Sequence, residues 1–324
     1  MKRIISLGLS LGFAFMSFLF EVQAQDKYPT RTIELVVPFG TGGSADVAAR
    51  CYSDTLSKLL KVPVTVVNRA GGTGIQGTTY VVKSKKDGYT LLGSTDTPLM
   101  VMPVISKEVT YDPLKDVSPL GHIGYAPAVF AVRNDSPFKT LAELVEYAKK
   151  NPGKLKNASA GIGTESFFNL QLLCFKEKIK ITTIPFKSGG EGIVSLLGGH
   201  TDMSSTSLAS VGAQLKAGTL RGLAVCTKKR QPDFPNVPTT AELGYPDVNL
   251  NVWMALFAPA GVPKQVIDVL VPAVEKAFQD PDVVQRGLNA GLVMEYVGPE
   301  ETRKLLESGL QTIKKLAAEA DLIK

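Results

Sequence analysis

The stretch Glu34–Arg50, ELVVPFGTGGSADVAAR, constrains this chain more than any other: an apolar strand, a burst of glycine and the start of a helix follow one another directly. The rhythm continues through "TIELVVPF", "ADVAARCYSDTLSKLL", "VPVTVVN", "TGIQGTTYVVKSK" and "YTLLGST", which read as β-α-β-α-β. Such alternation implies a parallel sheet, because parallel strands need crossover connections and the crossover helices cover the sheet faces. The expected fold class is α/β. In such sheets the glycine-rich turns between strand and helix are where ligands bind.

After "KDVSPLGHIGYAPAVFAVRND" the pattern restarts near Ala126. The helix "TLAELVEYAKKNPGK" carries lysines in its last turn and stops at Asn151-Pro152-Gly153. Then come "LKNASAGIGT", the helix "ESFFNLQLLCFK", the strand "KITTIPF", the helix "GEGIVSLLGG", the strand "LRGLAVCT" and a Pro-rich loop. From "NVWMALFAPAGVP" onward the chain reads as a helical tail that packs back on the first unit. The expected organisation is a signal peptide at 1–24, lobe 1 at 25–125 plus 250–324, and lobe 2 at 126–249. Two chain crossings, near Tyr125–Arg133 and Asn249–Ala258, would form a two-strand hinge.

The leader rests on Lys2 and Arg3, the apolar run Ile4 to Phe20, and Val22-Gln23-Ala24, an A-x-A-like end. An uncleaved anchor is the alternative, since the run lies at the lower edge of a spanning length. Cleavage and export would place the working protein in a periplasm. The net charge of +6 is spread without a dense basic tract, which suits an anionic ligand and argues against nucleic acid. Cys51, Cys174 and Cys226 are odd in number and sit in apolar segments, so they read as buried thiols. With His122 and His200 as the only histidines and no CxxC or HExxH, neither a metal nor any other cofactor is expected.

Two glycine motifs, Gly40-x-Gly42-x-x-Ala45 and Gly72 to Gly77, fit the dinucleotide pattern. A dinucleotide site also wants an acid at the end of the second strand for the ribose, and here that strand ends at Asn68-Arg69. The physics beneath the motif survives: converging backbone N–H groups and the positive end of a helix suit any anion, including a carboxylate. Thr41 and Ser44 can add hydroxyl donors, and Ser44 and Asp46 are candidate helix caps. The segment "NASAGIGTESFF" repeats the device, with Gly161 and Gly163 ahead of a helix beginning near Thr164-Glu165. One such turn on each side of a hinge would clamp a small acid. No GxSxG elbow occurs, and no SxxK accompanied by its partner motifs. Asp46, Asp96, Asp202 and Glu165 read as caps or solvated carboxylates, so an enzyme is not expected.

Taken together, "YPTRTIELVVPFGTGGSADVAAR", "VTVVNRAGGTGIQG", "KDGYTLL", "YAKKNPGKLKNASAGIGTES", "LLGGHTDM", "LKAGTLRGLAV", "FPNVPTTAELG" and "LFAPAGVP" resemble the tripartite tricarboxylate transporter solute-binding proteins, the Bug receptors. The similarity runs in order over nearly the whole mature chain. It implies a type II periplasmic-binding-protein fold and a monomer that closes two lobes on a small carboxylate. It also implies delivery to an integral-membrane permease. Carried over, the ligand site comprises Phe39, Gly40, Thr41, Gly42, Gly43 and Ser44 in one turn and Ser159, Ala160, Gly161, Gly163, Thr164, Glu165 and Ser166 in the other. Ser94, Thr95, Asp96 and Thr97, with Thr206 and Ser207, complete the wall. Where relatives often read "DNLPS" this chain has "TSLAS", so Thr206 replaces an acid that could pair with a ligand ammonium. Where they often read "AGNGTSSH" it has "AGIGTESF", so Ile162 and Phe167 are expected to make the site more apolar. Glu165 is read as a complement to its helix dipole, or alternatively as facing the cleft. The expected ligand is a dicarboxylate or aromatic acid. A receptor for a sensor kinase is the near alternative, and a secreted hydrolase or isomerase the one from another class.

Overall fold

A computed structural model describes residues 28–319, and the expected leader at 1–24 lies outside them. The first half runs β1 (Ile33–Val37), α1 (Ser44–Leu60), β2 (Val64–Asn68), α2 (Ile75–Val82) and β3 (Thr90–Thr95), followed by a wide π turn at Thr97–Val101 and the short α3 (Met102–Ile105). A strand of 17 residues, β4 (Val117–Arg133), leads into the second half. There α4 (Leu141–Lys150), β5 (Lys156–Ser159), α5 (Glu165–Glu177), β6 (Thr182–Pro185), α6 (Gly189–Leu197), β7 (Met203–Ser207), α7 (Leu208–Lys216) and β8 (Leu220–Val225) alternate. The chain returns through β9 (Asn251–Pro259), α8 (Lys264–Gln279), α9 (Pro281–Asn289), β10 (Val293–Val297) and α10 (Pro299–Glu319).

The strands form one curled sheet in the order β2-β1-β3-β9-β4-β7-β5-β6, with β10 and β8 also on β4. Strand β4 therefore belongs to both halves. Its Val117–Pro127 part pairs antiparallel with β9, and its Ala128–Arg133 part pairs with β7 and β8. The second crossing is the approach to β9, whose Asn251 lies opposite Pro127.

Adjacent side chains on a strand point to opposite faces, and here both faces are buried. Leu35 enters a cluster with Tyr52 of α1 and Leu270 of α8, while its neighbour Val36 enters another with Leu99 and Leu306. Each such side chain contributes about 1.5–3 kcal/mol by leaving water. The same alternation explains where the expected helical tail fails. In β9, Met254 and Leu256 face one cluster and Ala255 and Phe257 the other, and such an unbroken apolar run has no strand period to read.

Strand β10 is a second departure from the helical tail. It pairs antiparallel with β4 at Gly124, which has φ +123°, and a Cβ there would run into the Val293 carbonyl. That close approach is set by the tertiary fold. Helix α8 then packs on α1, and α10 lies across β4 and the π turn. Cys51, Cys174 and Cys226 are buried and unpaired. Among the described residues no helix is long and apolar enough to cross a membrane.

Candidate ligand-binding cleft

Between the two halves, where strand ends feed helices, lies a narrow cavity of about 30 Å³. Four helix N-caps line it: Gly43 of α1, Thr164 of α5, Ser188 of α6 and Ser207 of α7. A helix N-terminus presents N–H groups without partners and roughly half a positive charge. At α5, α6 and α7 the cap side chain accepts one of those N–H groups, from Phe167, Glu191 and Ser210 respectively. Helix α1 has no side-chain cap. Its opening residues Gly43, Ser44 and Ala45 line the cavity directly.

A buried carboxylate shapes that α1 terminus from behind. Asp46 accepts from Gly42 N at 2.9 Å, from Asn68 Nδ2 at 2.9 Å and from Arg50 Nη2 at 2.9 Å. Burial pushes its pKa up, but Arg50, the Gly42 amide and Asn68 together outweigh burial and hold it below the ordinary value. Asn68, where a dinucleotide site would carry an acid, also donates to Phe39 O at 3.0 Å and ties the turn to the end of β2. This corrects the expected caps: Gly43 is the N-cap, Ser44 is the first helical residue, and Asp46 anchors the turn.

Three polar contacts hold the halves together around the cavity. Gly40 N donates to Lys187 O at 3.0 Å, Ser188 Oγ to Thr41 O at 2.9 Å, and Thr97 Oγ1 to Glu165 Oε1 at 3.1 Å. Behind Thr97, the Asp96 carboxyl lies within hydrogen-bond reach of Glu165. Burial first, and then the Glu165 charge, raise Asp96 well above the usual carboxylate range. Burial also raises Glu165, against the opposing hydrogen bonds of Asp96 and Thr97.

The expected site residues divide on this geometry. Phe39, Gly43, Ser44, Thr95, Thr97, Ala160, Thr164, Glu165, Ser166, Thr206 and Ser207 line the cavity. The amides of Gly40 and Gly42 are taken by Lys187 and Asp46, and Thr41 is exposed. Ser94 Oγ turns to Thr95 O, and Asp96 sits behind the wall. In the second turn the hydroxyls of Ser159 and Thr164 both donate to Gly161 O at 3.1 Å, and neither Gly161 nor Gly163 reaches the cavity. The expected apolar contribution is absent from the wall, since Ile162 is 55 % exposed and Phe167 packs against Phe168. Glu165, read first as a dipole complement, is 6 % exposed and forms part of the wall.

Sequence reasoning missed Ala45, Ser188, Gly189, Ser210 and Val252, all in the wall. Ser188 carried a usable signal, because Ser188-x-x-Glu191 ahead of an apolar run marks a helix start. Its side chain indeed accepts from Glu191 N. Two wall hydroxyls, Thr95 Oγ1 and Thr206 Oγ1, are buried without a hydrogen-bond partner. A buried polar atom left unpaired costs about 1–3 kcal/mol, so a cluster of them around one cavity points to a polar occupant.

The family described as tripartite tricarboxylate transporter family receptor matches residues 48–322. The chain belongs to that family. The receptor is 34 % identical to Protein BugT of Bordetella pertussis over 287 residues, covering 88 % of each chain. Among solved structures, periplasmic binding protein BugD is similar with a TM-score of 0.87 at 30 % identity, over 92 % of this chain and 100 % of BugD. Rpa4515 of R. palustris, solved with adipate, gives a TM-score of 0.86 at 28 % identity, over 91 % of this receptor and 98 % of that chain. The fold is thus that of a periplasmic binding protein.

Proposed function

We propose that this receptor is exported, captures a small organic carboxylate between two lobes, and delivers it to an integral-membrane permease of the tripartite type. The lobes are residues 25–125 with 250–324, and residues 126–249. The observation that carries the proposal is the convergence on one cavity of an uncapped helix, α1, with the unpartnered hydroxyls of Thr95 and Thr206. The N–H groups of Ser44 and Ala45 hold the ligand carboxylate, and Thr95, Ser166, Thr206 and Ser207 offer hydroxyls to the remainder. The ligand class is a dicarboxylate or an aromatic acid. The protein acts as a monomer without catalysis, since its buried acids anchor a turn or bridge the halves.

Closure is part of the mechanism. A cavity of about 30 Å³ holds little more than a water molecule, so a ligand of several carbons enters when the halves part. Each half contributes donors to the same ligand, so the ligand binds the closed arrangement better and shifts the population towards it. A thermal-shift screen over a panel of carboxylates tests the reading. At about 100-fold excess over Kd a true ligand stabilises by about 2.7 kcal/mol, or roughly 4–8 °C. A panel in which no acid moves the melting temperature would sink the proposal, and conversion of a bound acid seen by mass spectrometry would make the protein an enzyme instead.

A further inference from the structure

The cleft is basic at one end only through backbone dipoles, and acidic at the other through a side chain. Among the described residues Glu165 is the single titratable one in the wall, and no Lys, Arg or His lines it from the β1–α1 turn, from α6, from α7 or from β9. The groups that meet it are Thr97, which donates to Oε1, and Asp96, which lies in hydrogen-bond reach. Two carboxyls at that range share one proton, because both cannot ionise together in a water-poor site. Burial of its carboxyl and the facing Glu165 charge both favour Asp96 as the one held as the acid. One negative charge then remains on the pair, whose Glu165 member lines the same cavity as the uncapped α1 terminus.

We infer, on the reading that this cleft captures a carboxylate, that the ligand docks as a monoanion whose far end presents a hydrogen-bond donor to Glu165. That donor is a hydroxyl, an ammonium, or a second carboxyl that keeps its proton. Thr95 and Thr206, each buried with a free hydroxyl, lie in the wall the ligand passes and serve its middle. A second ionised carboxylate at the far end would meet like charge with no cation nearby to offset it. Glu165 thereby decides which small acids the receptor accepts.

The test pairs two acids of equal length, adipate and 6-hydroxyhexanoate, with terephthalate and 4-(hydroxymethyl)benzoate as an aromatic pair. Calorimetric Kd values are measured at pH 6, 7 and 8. A free carboxyl ordinarily loses its proton near pH 4.3, so the protonated far end becomes about tenfold scarcer with each pH unit above that. The ratio of diacid to hydroxy-acid Kd is expected to rise about tenfold per pH unit, and taking the ratio cancels any titration common to both. Glu165→Gln removes the charge, so the ratio becomes flat and the diacid gains at least tenfold at pH 8. Asp96→Asn, whose amide still donates to Glu165, keeps the slope. Melting curves and circular dichroism check that both variants are folded.

A pH-independent ratio in the wild type, or a slope that survives Glu165→Gln, overturns the inference and leaves the receptor standing. Silence from both pairs while another acid binds does the same. If no acid of the wider panel binds, the receptor reading and this inference fall together.

Discussion

The two glycine turns look alike in sequence and behave differently in space. In "PFGTGGSAD" the acid, Asp46, faces away from the cavity and satisfies Gly42, Asn68 and Arg50, so the α1 terminus stays open. In "SAGIGTES" the hydroxyls of Ser159 and Thr164 fold inward on Gly161 O, Thr164 caps α5, and the acid, Glu165, faces the cavity. One turn offers partial positive charge and the other a buried carboxyl. A symmetric clamp for two carboxylates thus becomes an asymmetric seat, and what separates the two is which way one carboxylate side chain points.

The largest effect that would break this comparison is at Gly42. Its φ is +77°, and an added Cβ would sit 3.2 Å from Gly190 Cα of the facing half. Gly42→Val is expected to leave the halves folded but unable to close, with affinity falling about 100-fold or more, since even a few kcal/mol of strain has that leverage. The obstacle is closure against α6 rather than backbone approach to the ligand. Unchanged affinity in a folded variant would remove the first turn from the mechanism.

Asp46→Asn comes next, and here the sign with pH is definite. The folded pKa is depressed, so the carboxylate's contribution is present above its unfolded value and is lost as pH falls through the folded one. We expect a loss of about 1.5–3 kcal/mol at neutral pH, the range for hydrogen bonds to charged groups. The gap between wild type and variant should begin to narrow as pH falls below about 4 and close only once pH passes below the depressed folded pKa. Chemical denaturation followed from pH 7 down to about pH 2 checks it, and a gap constant over that whole range would mean that Asp46 acts by shape alone.

Thr206→Val sharpens the contrast between ligand and fold. Its Oγ1 is buried without a partner, so stability should hold or rise slightly while affinity for the bound acid drops about fivefold, the worth of about one hydrogen bond. Equal affinity by calorimetry would show that the hydroxyl serves something else. The smallest effect on binding is expected at Thr164→Ala. Loss of that cap should lower stability by about 1 kcal/mol and leave affinity within about twofold, because its hydroxyl is spent on Gly161 O and Phe167 N. A binding loss exceeding the stability loss would put Thr164 in contact with ligand.

Local pattern was enough for β1, α1, β2, α2 and β3, because each apolar run and each cap lies within a few residues of the next. Asn68, standing where a dinucleotide site would carry an acid, was legible in the same way. Local pattern could not separate β9 from a helix, because a strand buried on both faces has no period to display. Nor could it anticipate β10, which exists by virtue of a glycine in β4 that lets it approach. In the site, residue types were legible and directions were not. Ile162 and Glu165 are only three positions apart, yet one is exposed to solvent and the other lines the cavity.

By itself, then, the sequence determined an alternating α/β chain, its glycine turns at helix starts and the family those segments resemble, since these depend on short-range pattern. Tertiary structure alone decided that α1 stays uncapped, that α6 brings Ser188 to the wall, and that Asp96 meets Glu165. Thr97 and Glu165 are 68 residues apart and come from opposite halves, so the pairing of their surroundings exists only once the halves close. Burial then raises both carboxyls above their ordinary values, a property that neither residue carries in the unfolded chain.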